Sequence, residues 1–224
     1  VHLALRALFS GVFGFFLLAL VLFIPAGTFD YWQAWVFIAV FVVATLVPTS
    51  YLARTNPEAL RRRMRAGPRA ESRIVQKFII IAAFVVLFAM MVFSAVDYRL
   101  GWSSVPAPVC LLGDALVATG LGVAMLVVVQ NPYAAATVTV EGGQPVVSSG
   151  LYRFVRHPMY TGNVLMMLGM PLALGSYWGL LFLIPGIGVL IYRIADEEKL
   201  LIQELAGYRE YLERVRYRLI PYAW

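Results

Sequence analysis

Charge is scarce in this chain: only 13% of its 224 residues are Asp, Glu, Lys or Arg, where a soluble domain carries roughly a quarter. That speaks against an ordinary cytosolic enzyme, and the 61% hydrophobic content excludes disorder. Cysteine is nearly absent. The lone Cys110 sits in an apolar run, so there is neither a disulfide framework nor a cysteine-built metal site. The two histidines, His2 and His157, are too far apart in sequence to suggest a paired site. A Gly-x-Gly-x-x-Gly turn, a long internal repeat and low-complexity tracts are also missing. Basic residues exceed acidic ones, 18 to 12, for a net charge of +6. In a soluble protein that balance would suit nucleic acid, but in a chain this apolar the membrane surface comes first, and no nucleic-acid partner is expected.

Long apolar runs are what the chain has instead. A spanning helix needs about 20 mostly apolar residues, and 7–24, 31–52, 78–96 and 109–129 qualify or nearly do. Two further runs, 159–174 and 177–192, hold 16 residues each. At 1.5 Å per residue each covers about 24 Å, short of a hydrocarbon core of about 30 Å. Gly175 and Ser176 join them, with Pro171 and Pro185 inside, which predicts a tight, kinked hairpin. The expectation is an all-α integral membrane protein of five to six transmembrane helices. The first run lacks a small-x-small cleavage site after Pro25 and reads as a retained span.

The charges orient these runs. Arg54, Arg61, Arg62, Arg63, Arg65, Arg69, Arg73 and Lys77 fall between the second and third. Arg153 and Arg156 follow the fourth, and Arg193, Lys199, Arg209, Arg214, Arg216 and Arg218 lie in the tail. With the N-terminus inside, all of these and Arg6 share one side, leaving only Arg99 outside. The positive-inside rule then predicts that the N-terminus, the basic loop 53–77, the 131–157 loop and the tail are cytosolic. The arginine run at 61–63 reads as a topology and headgroup signal. Within the 27 residues 131–157, Thr137 to Val140 read as a short extended piece and Gly142-Gly143 as a turn; a connection that long is usually functional. From Asp196 onward a helix is predicted, with Leu201, Leu205, Tyr208, Leu212 and Val215 along one face.

Two blocks could carry chemistry. In the first, Gly150 to Tyr160, Pro158 turns His157 away from helical angles and suits the first position of a helix. The free N–H groups there attract anions. Arg153 and Arg156 add positive charge, and Tyr152 and Tyr160 add flat faces. A membrane-entry anchor would use the same residue types. In the second, Arg193 and Glu197 are four apart on one helix face, followed by Glu198. Acids at the C-terminal end of a helix oppose its dipole, so a cationic ligand or the arginines of the first block would relieve them. Asp114, a carboxylate inside the fourth run, is a candidate by position alone.

The ordered set Gly-x-Tyr, Arg-His-Pro-x-Tyr, an apolar hairpin and Arg-x-x-x-Glu-Glu resembles the isoprenylcysteine carboxyl methyltransferase family of integral membrane methyltransferases. Ala206-Gly207-Tyr208-Arg209-Glu210-Tyr211 is similar to its tail motif, and the resemblance covers residue 131 onward. It implies a four-helix region at 1–130 and a catalytic region at 131–224, the latter comprising a cofactor loop, a hairpin at 158–193 and a tail helix. It implies S-adenosylmethionine as cofactor, in a cytosolic pocket formed by loop and tail. The contacts carried over are Gln144, Pro145, Val146, Val147, Tyr152, His157, Pro158, Met159, Tyr160, Glu197 and Glu198, with Arg193 meeting the acceptor. The acceptor is expected to be lipid-like or prenylated, reaching the site through the bilayer, with a carboxylate among the groups allowed. For His157 a binding role is preferred over that of general base. Two rivals stand beside this reading. One is an NADPH-dependent membrane reductase of the steroid type, whose Arg-His-Pro-Asn-Tyr element has asparagine where Met159 stands. The other is a non-enzymatic lipid-binding membrane protein.

Overall fold

The computed structural model describes residues 2–64, 71, 73–134, 137 and 140–224, and their side chains from residue 9 onward. Arg65, Arg69, Val138 and Thr139, placed above in the basic loop and the extended piece, lie outside the described residues, as does the Arg6 side chain. Every regular element among the described residues is helical. The chain forms α1 (His2–Ala26), α2 (Trp32–Thr55), α3 (Pro57–Met64), α4 (Ile74–Leu100), α5 (Ala107–Gln130), α6 (Pro158–Ala173), α7 (Leu183–Glu204) and α8 (Tyr208–Arg214). Short 3-10 turns precede α6 (Gly150–Arg153) and α7 (Trp178–Phe182).

Five of these elements are long and apolar enough to cross a membrane: α1, α2, α4, α5 and the continuous Trp178–Glu204 segment. α6 has 16 residues, about 24 Å of helix. Large apolar side chains such as Phe9, Phe13, Val43, Phe78 and Ile184 point outward and stay exposed, as they do on helices solvated by lipid. The chain is an integral, multi-pass membrane protein.

The hairpin expectation needs a correction in its packing. α6 packs chiefly on α5, its neighbour across the long loop, and only lightly on α7. Glycine is the reason. A Cβ at Gly120 would lie 2.4 Å from the Gly162 carbonyl oxygen, and one at Gly169 would lie 2.4 Å from that of Gly113. These glycines recur every seven residues on both helices and pair in antiparallel order, so the two backbones touch along the whole contact. That contact sets the first turn of α6 beside the C-terminal end of α5. Pro185 falls in the first turn of α7, because the 3-10 turn delays the start of that helix to Leu183. Proline is tolerated in that first turn, where its missing N–H has no helical partner.

The end of the bundle away from the basic loop is tied by buried polar contacts. Tyr31 donates its hydroxyl to the Leu174 carbonyl at 2.6 Å and stacks on Tyr98. Asp97 accepts from the Ser103 N–H at 2.8 Å and from the hydroxyls of Ser103 and Ser176. Asp114 is also buried, with neither carboxylate oxygen hydrogen-bonded among the described residues. The apolar core between the two ends is built around Leu22, Phe37, Met90, Val117 and Ile194.

The predicted tail helix breaks at its middle. α7 stops at Glu204, and Gly207 adopts φ 83°, a left-handed angle that costs glycine little. The chain turns there, and α8 folds back. Leu205, Tyr208, Tyr211 and Val215 remain on one buried face, packed with Val140 and Val146 of the long loop. Their partner is the protein's own loop.

Candidate active site

At the basic end, the C-terminus of α5, the long loop, the start of α6, the last turns of α7 and α8 enclose a cavity of about 110 Å³. The loop contributes Gln144, Pro145, Val146 and Val147, the 3-10 turn Tyr152, and the entry to α6 His157, Pro158, Met159 and Tyr160; α7 contributes Glu197. Ten of the cofactor residues carried over from the sequence therefore share one cavity. Arg193 and Glu198 do not line it.

Glu198 is turned into the protein. It accepts from Arg156 Nε at 2.8 Å, contacts His157 Nε2 at 3.2 Å and accepts from Arg218 Nε at 3.0 Å. Arg156 also donates to the carbonyls of Val215 and Arg216. The backbone N–H groups of Arg156 and His157 donate to the carbonyls of Tyr217 and Arg218. Thr161 donates to the Leu219 carbonyl at 2.7 Å. The C-terminal segment is thereby strapped across the entry of α6. Of the two arginines expected to relieve the acids, Arg156 does so and Arg153 stays exposed.

Glu197 lines the cavity and Arg193 sits beneath it, 8% exposed. They do not pair directly. Tyr160 stands between, donating its hydroxyl to Glu197 Oε2 at 2.5 Å while accepting from Arg193 Nε at 2.8 Å. The other arms of the guanidinium reach Gln76 Oε1 at 3.0 Å and Glu71 Oε1 at 3.4 Å. Gln76 in turn donates to Asp196, which also binds Arg73 at 2.8 Å. Arg193 is anchored from three directions, so the position of the Tyr160 hydroxyl is determined from behind.

The loop is also held from outside. Arg62 grips Glu141 through two parallel bonds, 2.8 and 3.0 Å, and lies 4.9 Å over the Tyr133 ring. One residue of the 61–63 run thus clamps the cavity loop. Tyr152 accepts from Asn131 Nδ2 at 3.2 Å. Burial, with a smaller push from the Glu197 charge, drives its phenol up to about 12, so it stays a neutral donor at any physiological pH. Burial likewise raises the phenols of Tyr208 and Tyr211. The Tyr208 hydroxyl is buried with no hydrogen-bond partner among the described residues.

Sequence reasoning missed Asn131, Tyr133 and Tyr211 in the cavity wall, and Gln76 and Glu71 behind it. Gln76 stands beside Lys77 just before the 78–96 run, a weak signal at a helix start. Tyr208 was legible as a packing residue and, with Tyr211, as part of the tail motif, but without a place in the cavity.

Comparison with known proteins brings out likenesses of three kinds. Residues 109–207, just under half of the chain, match the family model for phospholipid methyltransferase (PEMT). Among curated proteins the chain is similar to Delta(14)-sterol reductase TM7SF2 of Mus musculus, with 31% identity over 91 residues, 39% of this chain and 22% of that one. The chain thus spans about a fifth of the length of that relative. Among solved structures it is similar to the eukaryotic intramembrane Ras methyltransferase ICMT (isoprenylcysteine carboxyl methyltransferase), at 14% identity and a TM-score of 0.44, covering 98% of this chain and 85% of the other.

Proposed function

We propose that this chain is an integral membrane methyltransferase that uses S-adenosylmethionine to methylate a lipid-like or prenylated acceptor. The matching methyltransferase family model over residues 109–207 supports the reaction class. The observation that carries the cofactor is Glu197, a carboxylate in the cavity wall with Tyr160 as its hydrogen-bond donor, among the rings of Tyr133, Tyr152, Tyr208 and Tyr211. S-adenosylmethionine, when bound, supplies an electrophilic methyl group on a sulfonium.

The residues present fit that molecule. A carboxylate and tyrosine faces attract sulfonium and ammonium groups. The α6 N-terminus at Pro158 attracts the carboxylate of the same ligand. The unsatisfied Tyr208 hydroxyl offers a buried hydrogen bond that a ligand would complete. The cavity's 110 Å³ is below the roughly 300–1,000 Å³ of pockets that bury a drug-sized ligand, so a nucleoside-sized ligand would extend into the mouth under the long loop. Methyl transfer from sulfur is an in-line displacement that needs positioning and dryness more than acid–base groups. The role of Arg193 is then to hold Tyr160, and through it Glu197, while the acceptor is presented from the bilayer side.

The mouse reductase likeness favours a second reading, a membrane reductase using NADPH. Its phosphates would need free cations. Among the described residues the only arginine in the cavity wall is Arg156, whose Nε and Nη1 are taken up by Glu198 and two backbone carbonyls. Glu197 would repel an anion further. Calorimetric titration of the purified protein with S-adenosylmethionine, S-adenosylhomocysteine and NADPH separates the two readings. Binding of NADPH alone would overturn the proposal, and binding of neither cofactor would leave a non-enzymatic lipid-binding protein.

Glu197→Gln is expected to weaken S-adenosylmethionine binding by about 1.5–3 kcal/mol, the scale of a hydrogen bond to a charged group. Folding should be spared, since glutamine can still accept from Tyr160. Unchanged affinity would make the carboxylate structural.

The cavity end is proposed to face the cytosol, on the strength of the one-sided arginines. In a Cys110→Ser background, single cysteines at the exposed positions Arg61 and Ser149 are expected to react with an impermeant maleimide only from the cytosolic face. Reaction from outside at either position would invert the topology.

A further inference from the structure

A second cavity, about 350 Å³, lies between α1 and α2 at the same end of the bundle as the candidate active site. Its walls are apolar over most of their extent, with Phe15, Leu18, Phe41 and Val42 among them, and Arg63 stands at its rim together with Met64. We propose that this cavity is a binding site for an acidic phospholipid, whose phosphate pairs with Arg63 and whose acyl chain fills the groove between the two helices.

The space is open because of glycine, used in the opposite sense from the α5–α6 contact. There, every added Cβ would collide with backbone. On α1, a Cβ at Gly14 would meet nothing within 4 Å, and one at Gly11 would meet only the end of Leu46 at 3.3 Å. These glycines leave a void where close packing is the rule. It is more than twice the size of a ~150 Å³ apolar cavity that takes up benzene. Between two spanning helices, the apolar material at hand to fill it is lipid.

The headgroup end is set by charge. Arg61 pairs with Glu58 and Arg62 with Glu141, whereas Arg63 makes no hydrogen bond or ion pair among the described residues. Every Asp and Glu of the chain lies within the described set, so no carboxylate is left to serve it. Arg63 is half-buried, and that burial lowers its hold on its proton. A bound anion would offset the cost of desolvating it. α3 itself buries Ala59 and Leu60 while carrying three arginines, the pattern of a helix lying at an interface. Arg63 therefore sits at headgroup depth with the groove below it. Ser10 and Thr49, also in the wall, make no side-chain hydrogen bonds among the described residues and can meet a glycerol ester. In phosphatidylcholine the trimethylammonium group offsets the phosphate charge and weakens its pairing with Arg63, whereas free phosphate would pair with the arginine and leave the groove unfilled.

The test is lipid retention by native mass spectrometry on the detergent-purified full chain, titrated with phosphatidylglycerol, phosphatidylcholine or inorganic phosphate. Phosphatidylglycerol is expected to bind at least tenfold tighter than phosphatidylcholine. Arg63→Gln is expected to reduce its binding at least tenfold, and Arg61→Gln to change it less than twofold. Gly14→Leu fills the groove at a position with room for a side chain, so it should fold, and it is expected to reduce binding at least fivefold with Arg63 intact. S-adenosylmethionine affinity is expected to stay at the wild-type level in Arg63→Gln and Gly14→Leu, because neither residue lines the first cavity. Equal binding of the two lipids, or phosphatidylglycerol binding unchanged in Arg63→Gln and in Gly14→Leu, would overturn the proposal. So would displacement of the lipid by inorganic phosphate, which would make Arg63 a bare anion site.

Discussion

Glu198→Gln is expected to lower the stability of the chain by about 3 kcal/mol or more, the cost of breaking a buried ion pair by removing one partner. The carboxylate is buried and serves three partners at once, Arg156, His157 and Arg218. Removing its charge leaves the Arg156 guanidinium buried without a counterion. The strap of residues 215–219 over the α6 entry would loosen with it, since Arg156 and Arg218 anchor that strap. Two measurements on one preparation check this: the unfolding midpoint in a fixed detergent and the rate of proteolysis in the C-terminal segment. The midpoint should fall and cleavage should accelerate. S-adenosylmethionine affinity should fall too, because His157 and the α6 N-terminus are held by the same contacts. A variant with wild-type stability and an intact tail would show that the cluster carries no weight.

Arg193→Lys is expected to reduce turnover at least tenfold, or about 1.4 kcal/mol, while S-adenosylmethionine affinity stays within about twofold, below 0.5 kcal/mol. Arg193 reaches Tyr160, Gln76 and Glu71 through three arms of one planar group, a fork that lysine cannot copy. Lysine would keep the charge and lose the fixed position of the Tyr160 hydroxyl. Glu197 would still face the cavity, so cofactor affinity would change little, whereas alignment of the reacting groups would suffer. The split between the two quantities is what distinguishes positioning from mere stability. Full turnover would remove Arg193 from the mechanism. A parallel loss of affinity would place it in support of cofactor binding alone.

Much of this protein follows from its sequence. The spans were legible because some 20 apolar residues in a row have few folded destinations other than a membrane. The cavity wall was legible because Pro158 must open a helix and because the loop, the α6 entry and the Arg193–Glu197 turn fall at the same end of an antiparallel bundle. The hydrophobic face of the tail was legible too, from its spacing.

Other features depend on packing between segments distant in the chain. Glu197 and Glu198 are neighbours in sequence, but a helix turns about 100° per residue, so only one can face a given cavity; the orientation of α7 against α6 decided which. The link from Arg193 to Glu197 runs through Tyr160, 33 residues before Arg193, and no spacing along α7 could announce it. The α5–α6 contact required glycines on two helices to come into register, since a single helix reveals only that it has small residues. The roles of the 61–63 run diverged for the same reason: three identical side chains on successive positions point in three directions, to Glu58, to Glu141 and to the groove beside Gly14. Sequence alone determined which segments enter the membrane and which residues gather at its basic end. Tertiary structure decided which of those residues face the cavity, because facing is set by helix rotation and contact, and neither is written in any one segment.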